Sequence, residues 1–239
     1  MRKFYDLHLE YKKEYAKELI ERALDLGFSG ICLVYRFQNL YGIKGYLRDI
    51  EKLREVFKDN IDIITGVVIE WNKEKSLLEK IIKLRRKVEL IFVDSKGDYK
   101  INRFACSRRE VDVLCNFWDE KGIGIDHICI RDAKENNVFF ELCFRRYIED
   151  QNILIKFRNC ALVFKKSNAP VIITSGARDI FEMKKGRDLA SLLSIFDYDL
   201  EKSIKAISTT PKSIIDENRK KLKQPVIGVE VYEDEKEKT

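Results

Sequence analysis

Short apolar runs alternate with longer amphipathic segments along most of the chain, and this alternation restricts the fold more than any other feature of the sequence. Seven of the runs have the length and the apolar content that strands require. They are Lys3–Leu9, Ile31–Tyr35, Ile61–Ile69, Val88–Val93, Val111–Cys115, Val138–Phe144 and Pro170–Thr174. Near-continuous apolar runs are typical of parallel strands, because helices cover both faces of such a sheet.

The segments between these runs repeat apolar residues at helical spacing, as Leu19, Ile20 and Ala23 do in the first of them. Helices are predicted over Glu10–Leu26, Tyr46–Lys58, Glu74–Arg86, Ile125–Ala133, Glu149–Lys166 and Asp188–Phe196, and a further helix ends in the basic run Arg219–Lys223. Regular alternation of strands and helices favours a closed barrel over an open, doubly wound sheet. We therefore predict an α/β fold, a TIM-barrel-like (β/α) barrel.

The length supports a single domain. Such a barrel needs about 250 residues, the chain has 239, and no Gly-, Pro- or Ser-rich linker divides it. We expect one domain over residues 1–239, with a short acidic tail from about residue 233. The last ten residues hold five acidic residues and two lysines, so the rest of the chain, with 44 basic and 35 acidic residues, carries +9. That charge is compatible with a polyanionic partner.

The cysteines and the amino terminus indicate where such a chain works. No two of the six cysteines lie within four residues of each other, so the close pair typical of a zinc or redox site is missing. The chain opens without an apolar signal region, and no apolar run approaches the roughly 18 residues of a membrane span. We expect a cytoplasmic protein that has no membrane contact.

The end of the first strand carries a motif with chemical content. Its Asp6-Leu7-His8-Leu9-Glu10 stretch resembles the Asp-Leu-His-x-His motif of the PHP (polymerase and histidinol phosphatase) hydrolases, with Glu10 at the position of the second histidine. His8 and Glu10 are donors that a divalent cation accepts. Those hydrolases use further histidines, however, and the chain has only one more, His127, at the start of a predicted helix. We expect no catalytic residue and no metal site in this chain; the alternative is a metal-dependent phosphoesterase of the PHP type.

The second half of the chain adds a more specific resemblance. The stretches Arg108–Leu114, Glu141-Leu142 followed by Arg145, Val171–Arg178, Gly186–Leu189 and Pro211–Arg219 are similar in order and spacing to archaeal ribonuclease P protein component 3. The Tyr5–His8 opening also suits that family, which keeps the first histidine and lacks the full metal set. The resemblance runs from residue 3 to about residue 232.

This resemblance implies a TIM-barrel-like subunit of ribonuclease P, the ribonucleoprotein that removes the 5′ leader from precursor tRNA. It implies that the RNA subunit hydrolyses the phosphodiester with Mg²⁺ and that the protein binds no cofactor, supports the catalytic RNA and is not catalytic alone. The expected partners are the ribonuclease P RNA, component 2 in a complex that can double into a heterotetramer, the other ribonuclease P proteins, and precursor tRNA as substrate.

The residues suggest where RNA would bind. Barrels carry function in the loops after their strands. The loop after Pro170–Thr174 offers Ser175, Gly176 and Arg178 as a nest for a phosphate, and Lys184, Lys185 and Arg187 follow at the start of the next helix, whose dipole attracts anions. Arg108, Arg109 and Arg145 are the remaining RNA-binding candidates, because arginine binds phosphate with two hydrogen bonds and stacks on bases.

Other interpretations of these residues stay open from the sequence alone. Ser175-Gly176-Ala177 is equally suited to a tight turn, and the lysines to a solvated face. A barrel enzyme for a phosphorylated metabolite would share the nest, but it would also need an acid/base pair that the sequence does not identify. Arg85 and Arg86 are expected at the opposite pole of the barrel, away from RNA, and Arg219 fits a helix end as well as an RNA contact.

Overall fold

Seven parallel strands follow one another around a barrel in the order of the chain. This computed structural model describes residues 2–70, 77–118, 124–149, 152–194 and 198–223. The strands are β1 (Phe4–Glu10), β2 (Phe28–Arg36), β3 (Asp62–Glu70), β4 (Leu90–Asp94), β5 (Val113–Cys115), β6 (Phe139–Cys143) and β7 (Val171–Thr174). Each pairs in parallel with the next. The predicted α/β, TIM-barrel-like fold is confirmed, and it forms a single domain.

In the part of the chain that the structure describes, seven helices lie between successive strands, and three more follow the last strand. They are α1 (Ala16–Asp25), α2 (Leu40–Phe57), α3 (Leu77–Arg85), α4 (Tyr99–Cys106), α5 (His127–Asn136), α6 (Phe144–Glu149), α7 (Asn152–Ser167), α8 (Gly186–Ser194), α9 (Leu200–Lys205) and α10 (Thr209–Lys223). No helix within the described ranges is both long and apolar enough to span a bilayer. The expected acidic tail from residue 233 lies outside the described residues.

Several helix boundaries differ from those expected. α1 begins at Ala16 rather than Glu10, because the Tyr11 N–H donates to Val34 O and keeps the chain extended beyond β1. α4 and α9 had not been predicted. The start of α4 is fixed by Asp98, whose carboxylate accepts hydrogen bonds from the N–H groups of Lys100 and Ile101, as a helix N-cap does. The helix predicted over Glu149–Lys166 corresponds to α7, and the short α6 that precedes it had not been predicted.

The strands bury side chains on both faces, which is why their sequences are apolar almost throughout. An inner cluster fills the barrel and an outer one joins the strands to the helices. The inner cluster consists of Tyr5, Leu7, Cys32, Val34, Ile64, Val68, Leu90, Phe92, Val113, Cys115, Ile172, Ile214 and Ile215. A side chain at Gly66 would collide with the Cys32 sulfur inside this cluster, so the position requires glycine. All six cysteines are buried and form no disulfide. They pack as small hydrophobic residues do.

The barrel is closed between β7 and β1 without a full ladder of hydrogen bonds. Near the end of β1 the Glu10 N–H donates to Ala177 O at 2.8 Å. Near the beginning of β1 the Tyr5 N–H donates to Ile207 O at 3.0 Å. On β7 the Ile173 N–H donates to Ala206 O at 3.1 Å. The turn between α9 and α10 therefore takes the place of part of an eighth strand.

Helix α10 covers the amino edge of the barrel, which we define as the edge where the strands begin. Ile214 and Ile215 enter the inner cluster. The Asn218 amide donates to Asp112 Oδ1 at 2.8 Å and to Glu89 O at 3.0 Å, and the Arg219 guanidinium binds both Asp62 oxygens. Arg219 therefore holds α10 on the barrel. The opposite edge, where the strands end, is the carboxyl edge.

Candidate nucleic-acid interface

Three strand ends meet in a buried polar cluster at the carboxyl edge. His8 Nδ1 lies 2.7 Å from Glu141 Oε1, and the Thr174 hydroxyl donates to the same oxygen at 2.6 Å. Burial alone would lower the pKa of His8, but the Glu141 carboxylate has the larger effect. The pKa of His8 is therefore raised above its usual value. Burial raises the pKa of Glu141, whereas His8, Thr174 and Arg145 together lower it below its usual value. The contact between the two side chains joins β1 to β6.

Asp6 occupies the centre of the same edge and is fully buried. Its carboxylate accepts hydrogen bonds from the Ser175 N–H at 3.1 Å and from the His8 N–H at 3.3 Å. Burial nevertheless dominates and raises the pKa of Asp6 to about 6. The motif Asp6-Leu7-His8 thus links β1 to the loop after β7 and to β6 by contacts within the protein.

The loop after β7 does not present the phosphate nest that we expected. Three of its N–H groups are already used within the protein: Ser175 N donates to Asp6, Ala177 N to Ser175 Oγ, and Arg178 N to Glu182 Oε2. Ser175 and Gly176 are buried. Gly176 has a φ of +64° and lies where a Cβ would collide with the Cys143 sulfur. In this structure the two residues form a buried turn, and their contact with RNA stays a prediction.

The predicted arginines Arg145 and Arg178 do lie together at the carboxyl edge, but both are paired with carboxylates. Arg145, whose side chain is only 12% exposed, lies 3.4 Å from Glu10. Arg178 lies 2.6 Å from Glu182 and 3.0 Å from Glu149. Its side chain is 41% exposed, so Arg178 still faces solvent. Further carboxylates follow around the edge, where Glu70 binds Lys96 and Arg36.

The other predicted cations lie elsewhere. Lys185 and Arg187 are exposed beside the start of α8, as expected, and the Lys184 ammonium donates to Phe181 O. However, Gly186 packs against Phe4, the first residue of β1, whereas the Ser175 loop contacts the middle and end of that strand. The start of α8 is therefore displaced towards the amino edge.

Arg108 and Arg109 form a turn between α4 and β5, and therefore belong to the amino edge. The Arg108 guanidinium lies over the Phe104 ring, 5.0 Å from its centroid, and Arg109 is exposed. Both residues precede a strand, whereas Arg145 follows one, so they lie at the opposite edge of the barrel from Arg145. The nine RNA-binding candidates accordingly do not form one surface.

Sequence reasoning missed the role of Arg85. Its guanidinium is buried, forms an ion pair with Asp112, and donates to the backbone oxygens of Val88 and Glu89. Arg85 lies at the amino edge, opposite the loops that follow the strands, as expected. It anchors helix α3 to the barrel, however, and is not a solvated helix end. The signal in the sequence is Asp112, a lone charge between the apolar residues Val111 and Val113.

The residues of the hydrolase-like motif do not assemble a metal cluster in the described part of the chain. His8 binds Glu141, Glu10 binds Arg145, and His127 is an exposed first residue of α5. Among the residues placed by the structure, no three His, Cys, Asp or Glu side chains are grouped so that they could hold a metal ion.

Comparison with known proteins extends this picture. Residues 3–223 match the family model described as RNase P subunit p30. A relative in Methanothermobacter thermautotrophicus, ribonuclease P protein component 3, is 30% identical over 224 residues, which are 90% of each chain. A chain in the cryo-EM structure of archaeal ribonuclease P with mature tRNA superposes with a TM-score of 0.78 at 27% identity, over 98% of this chain and all of that one.

A solved metal hydrolase shares the fold alone. A zinc-bound histidinol phosphate phosphatase of Lactococcus lactis superposes with a TM-score of 0.55 at 15% identity, over 90% of this chain and 94% of that one. The relation to PHP hydrolases is therefore distant and structural, and it does not carry their activity to this chain. The match along nearly the whole described barrel shows instead that the chain belongs to the RNase P subunit p30 family and is a protein subunit of ribonuclease P, the tRNA 5′-processing hydrolase.

Proposed function

We propose that this chain is a non-catalytic subunit that binds and supports the catalytic RNA of ribonuclease P. The observation that carries the proposal is the set of contacts at the carboxyl edge. His8 and Glu10, the positions that resemble metal ligands, are bound to Glu141 and Arg145. A hydrolytic metal would have to break both contacts before it could bind.

In this proposal the chemistry belongs to the RNA subunit and to the Mg²⁺ that it binds. The protein holds no cofactor; it screens the negative charge of the RNA and so favours the active RNA fold. Its excess of positive charge supports that role, since 46 basic residues stand against 40 acidic ones. A protein of this kind works where precursor tRNA is processed, and we propose a cytoplasmic location on the same ground.

Reconstitution tests the proposal. The RNA with the other protein subunits should cleave precursor tRNA at low Mg²⁺ when this chain is added, and should need more Mg²⁺ when it is omitted. His8→Ala, provided that it folds, should support cleavage as the parent chain does. The isolated chain, purified without any chelator, should hold no stoichiometric transition metal and should hydrolyse no phosphomonoester. Metal-dependent, His8-dependent turnover by the isolated chain would contradict the proposal.

We also propose component 2 as the direct protein partner, in a pair that can double into a heterotetramer. Large exposed apolar side chains near the carboxyl edge support a protein contact there. Phe181 is 82% exposed and Ile148 61%, and the ion pair of Arg178 with Glu149 joins their two segments. Exposed apolar patches commonly mark interfaces.

A sizing column tests this partnership. The purified chain and component 2 should elute as one complex at micromolar concentration, and Phe181→Ser should weaken it. Val56→Ser on α2 is the matched control, because Val56 is also exposed, at 68%, but lies on an outer helix. Separate elution of the two parent proteins would exclude a stable pair.

A further inference from the structure

Two neighbouring clefts on the outer wall carry positive charge that the family resemblance did not identify. The first has a volume of 590 Å³ and lies between α7, α9 and the beginnings of β6 and β7. Its lining includes four lysines and one aspartate, which are Lys134, Lys165, Lys202, Lys205 and Asp199. A cleft with such an excess of one charge concentrates ions of the opposite sign.

The second cleft, of 610 Å³, continues from the first between α5 and α7. Lys134 lines both clefts, and the second adds Arg131 and Lys166. Its carboxylate, Asp126, is engaged within the protein, where it caps α5 through the Cys129 N–H and accepts the Tyr99 hydroxyl. We call the basic residues of the two clefts the lysine track: Arg131, Lys134, Lys165, Lys166, Lys202 and Lys205.

The central lysines of the track have neutral partners. The Lys134 ammonium donates to Ser167 O, and the Lys202 ammonium to the Asn168 side-chain oxygen at 3.5 Å. Lys205 pairs with Glu201, but both side chains are more than half exposed, where such a pair contributes little. Arg131, at the edge of the track, does bind the Asp132 carboxylate at 3.0 Å, but its side chain is 65% exposed. The less exposed Arg145 and Arg178 are both bound to carboxylates with which a phosphate would have to compete.

We propose that the lysine track binds the phosphodiester backbone of RNA. This inference rests on the proposed function and adds a site to it. Two clefts in series, with Lys134 between them, match an extended polyanion better than a single phosphate. Lysine is a point charge on a flexible stem, so the track would hold the RNA backbone irrespective of its base sequence.

Salt-dependent binding of the cognate ribonuclease P RNA to the full chain tests the track. The variant Lys202→Ala/Lys205→Ala should bind about 20-fold more weakly at 0.1 M salt and should flatten the slope of log affinity against log salt by about 1.4, if each lysine neutralises one phosphate of a single strand. Both side chains are exposed, so the fold should survive. Lys202→Arg/Lys205→Arg, which keeps the charge, should bind like the parent chain.

The matched control removes the same charge from another face. Lys44 and Lys52 are exposed on α2, and Lys44→Ala/Lys52→Ala should leave the affinity within about twofold of the parent chain, because charges beyond a Debye length of roughly 10 Å are screened. Equal losses in the two pairs would overturn the lysine track. Binding by the parent chain would still support the proposed function, which instead fails if that chain neither binds the RNA nor stimulates cleavage.

Chemical acylation of the parent chain gives an independent measurement. The RNA should protect Lys202 and Lys205 from acylation, as counted by mass spectrometry, and should leave Lys44 and Lys52 reactive. Inorganic phosphate at the same phosphate concentration should protect none of them. Equal protection by inorganic phosphate would identify a small-anion site and overturn the backbone proposal.

Discussion

Asp6 is a carboxyl group that the fold holds in an unfavourable environment. It is fully buried, and two backbone N–H groups do not offset the loss of water, so its pKa is raised to about 6. Between the unfolded value near 3.8 and this value the folded state binds more protons than the unfolded state does. Stability contributed at this site therefore falls as pH rises through that window.

Replacement of Asp6 by Asn tests the direction of this pH dependence of stability. The Asn side chain keeps an acceptor for the Ser175 N–H but carries no charge. Relative to the parent chain, the free energy of unfolding of Asp6→Asn should be unchanged at pH 3.8 or below and should gain up to about 3 kcal/mol at pH 7, the equivalent of a shift of roughly two pKa units. Urea unfolding across pH 4–7 measures it, and a pH-independent difference would exclude the charge as the cause.

At the amino edge, in contrast to Asp6, the buried charge of Arg85 is compensated by its partners. Its buried guanidinium neutralises Asp112 and binds two backbone oxygens, so it joins α3 to β4 and β5. We expect Arg85→Ala to lower the free energy of unfolding by about 3–5 kcal/mol, because it leaves the buried Asp112 charge uncompensated.

The exposed Arg109 in the neighbouring turn provides the comparison. Arg109→Ala should change stability by no more than about 0.5 kcal/mol. Denaturant unfolding of both variants at pH 7 is sufficient. If the two arginines had similar effects, the Asp112 ion pair would not be the anchor that we describe.

Helix α10 stabilises the barrel by covering its amino edge. Ile215 is completely buried in the inner cluster, and Asn218 and Arg219 bind the beginnings of three strands. Ile215→Ala should lower the free energy of unfolding by about 2–5 kcal/mol. Leu200→Ala on α9, where the side chain is 60% exposed, should cost about 0.5 kcal/mol or less. A thermal unfolding series compares the two, and equal midpoints would show that α10 does not seal the barrel.

At the scale of the whole molecule, the sequence predicted the sheet better than the surface. Strands such as Ile61–Ile69 are found nearly as expected, since apolar runs report burial directly. Helix α4 was missed because its apolar stripe is only two turns long and its start depends on Asp98. The burial of Ser175 and Gly176 was not foreseen, because sequence does not show that Asp6, 169 residues away, accepts the Ser175 N–H. The ion pair of Arg85 with Asp112, 27 residues away, was hidden for the same reason.

The order of the strands has a consequence for how the molecule is made. Each strand pairs with the one synthesised just before it, so the wall of the barrel can assemble progressively as the chain leaves the ribosome. The contacts that seal it are of another kind: Arg219 and its partner Asp62 are 157 positions apart. Contacts of such separation form slowly, and α10 is the last described helix to be translated. The nascent barrel therefore keeps an uncovered apolar end until α10 has been synthesised, and that interval is when it is most exposed to aggregation.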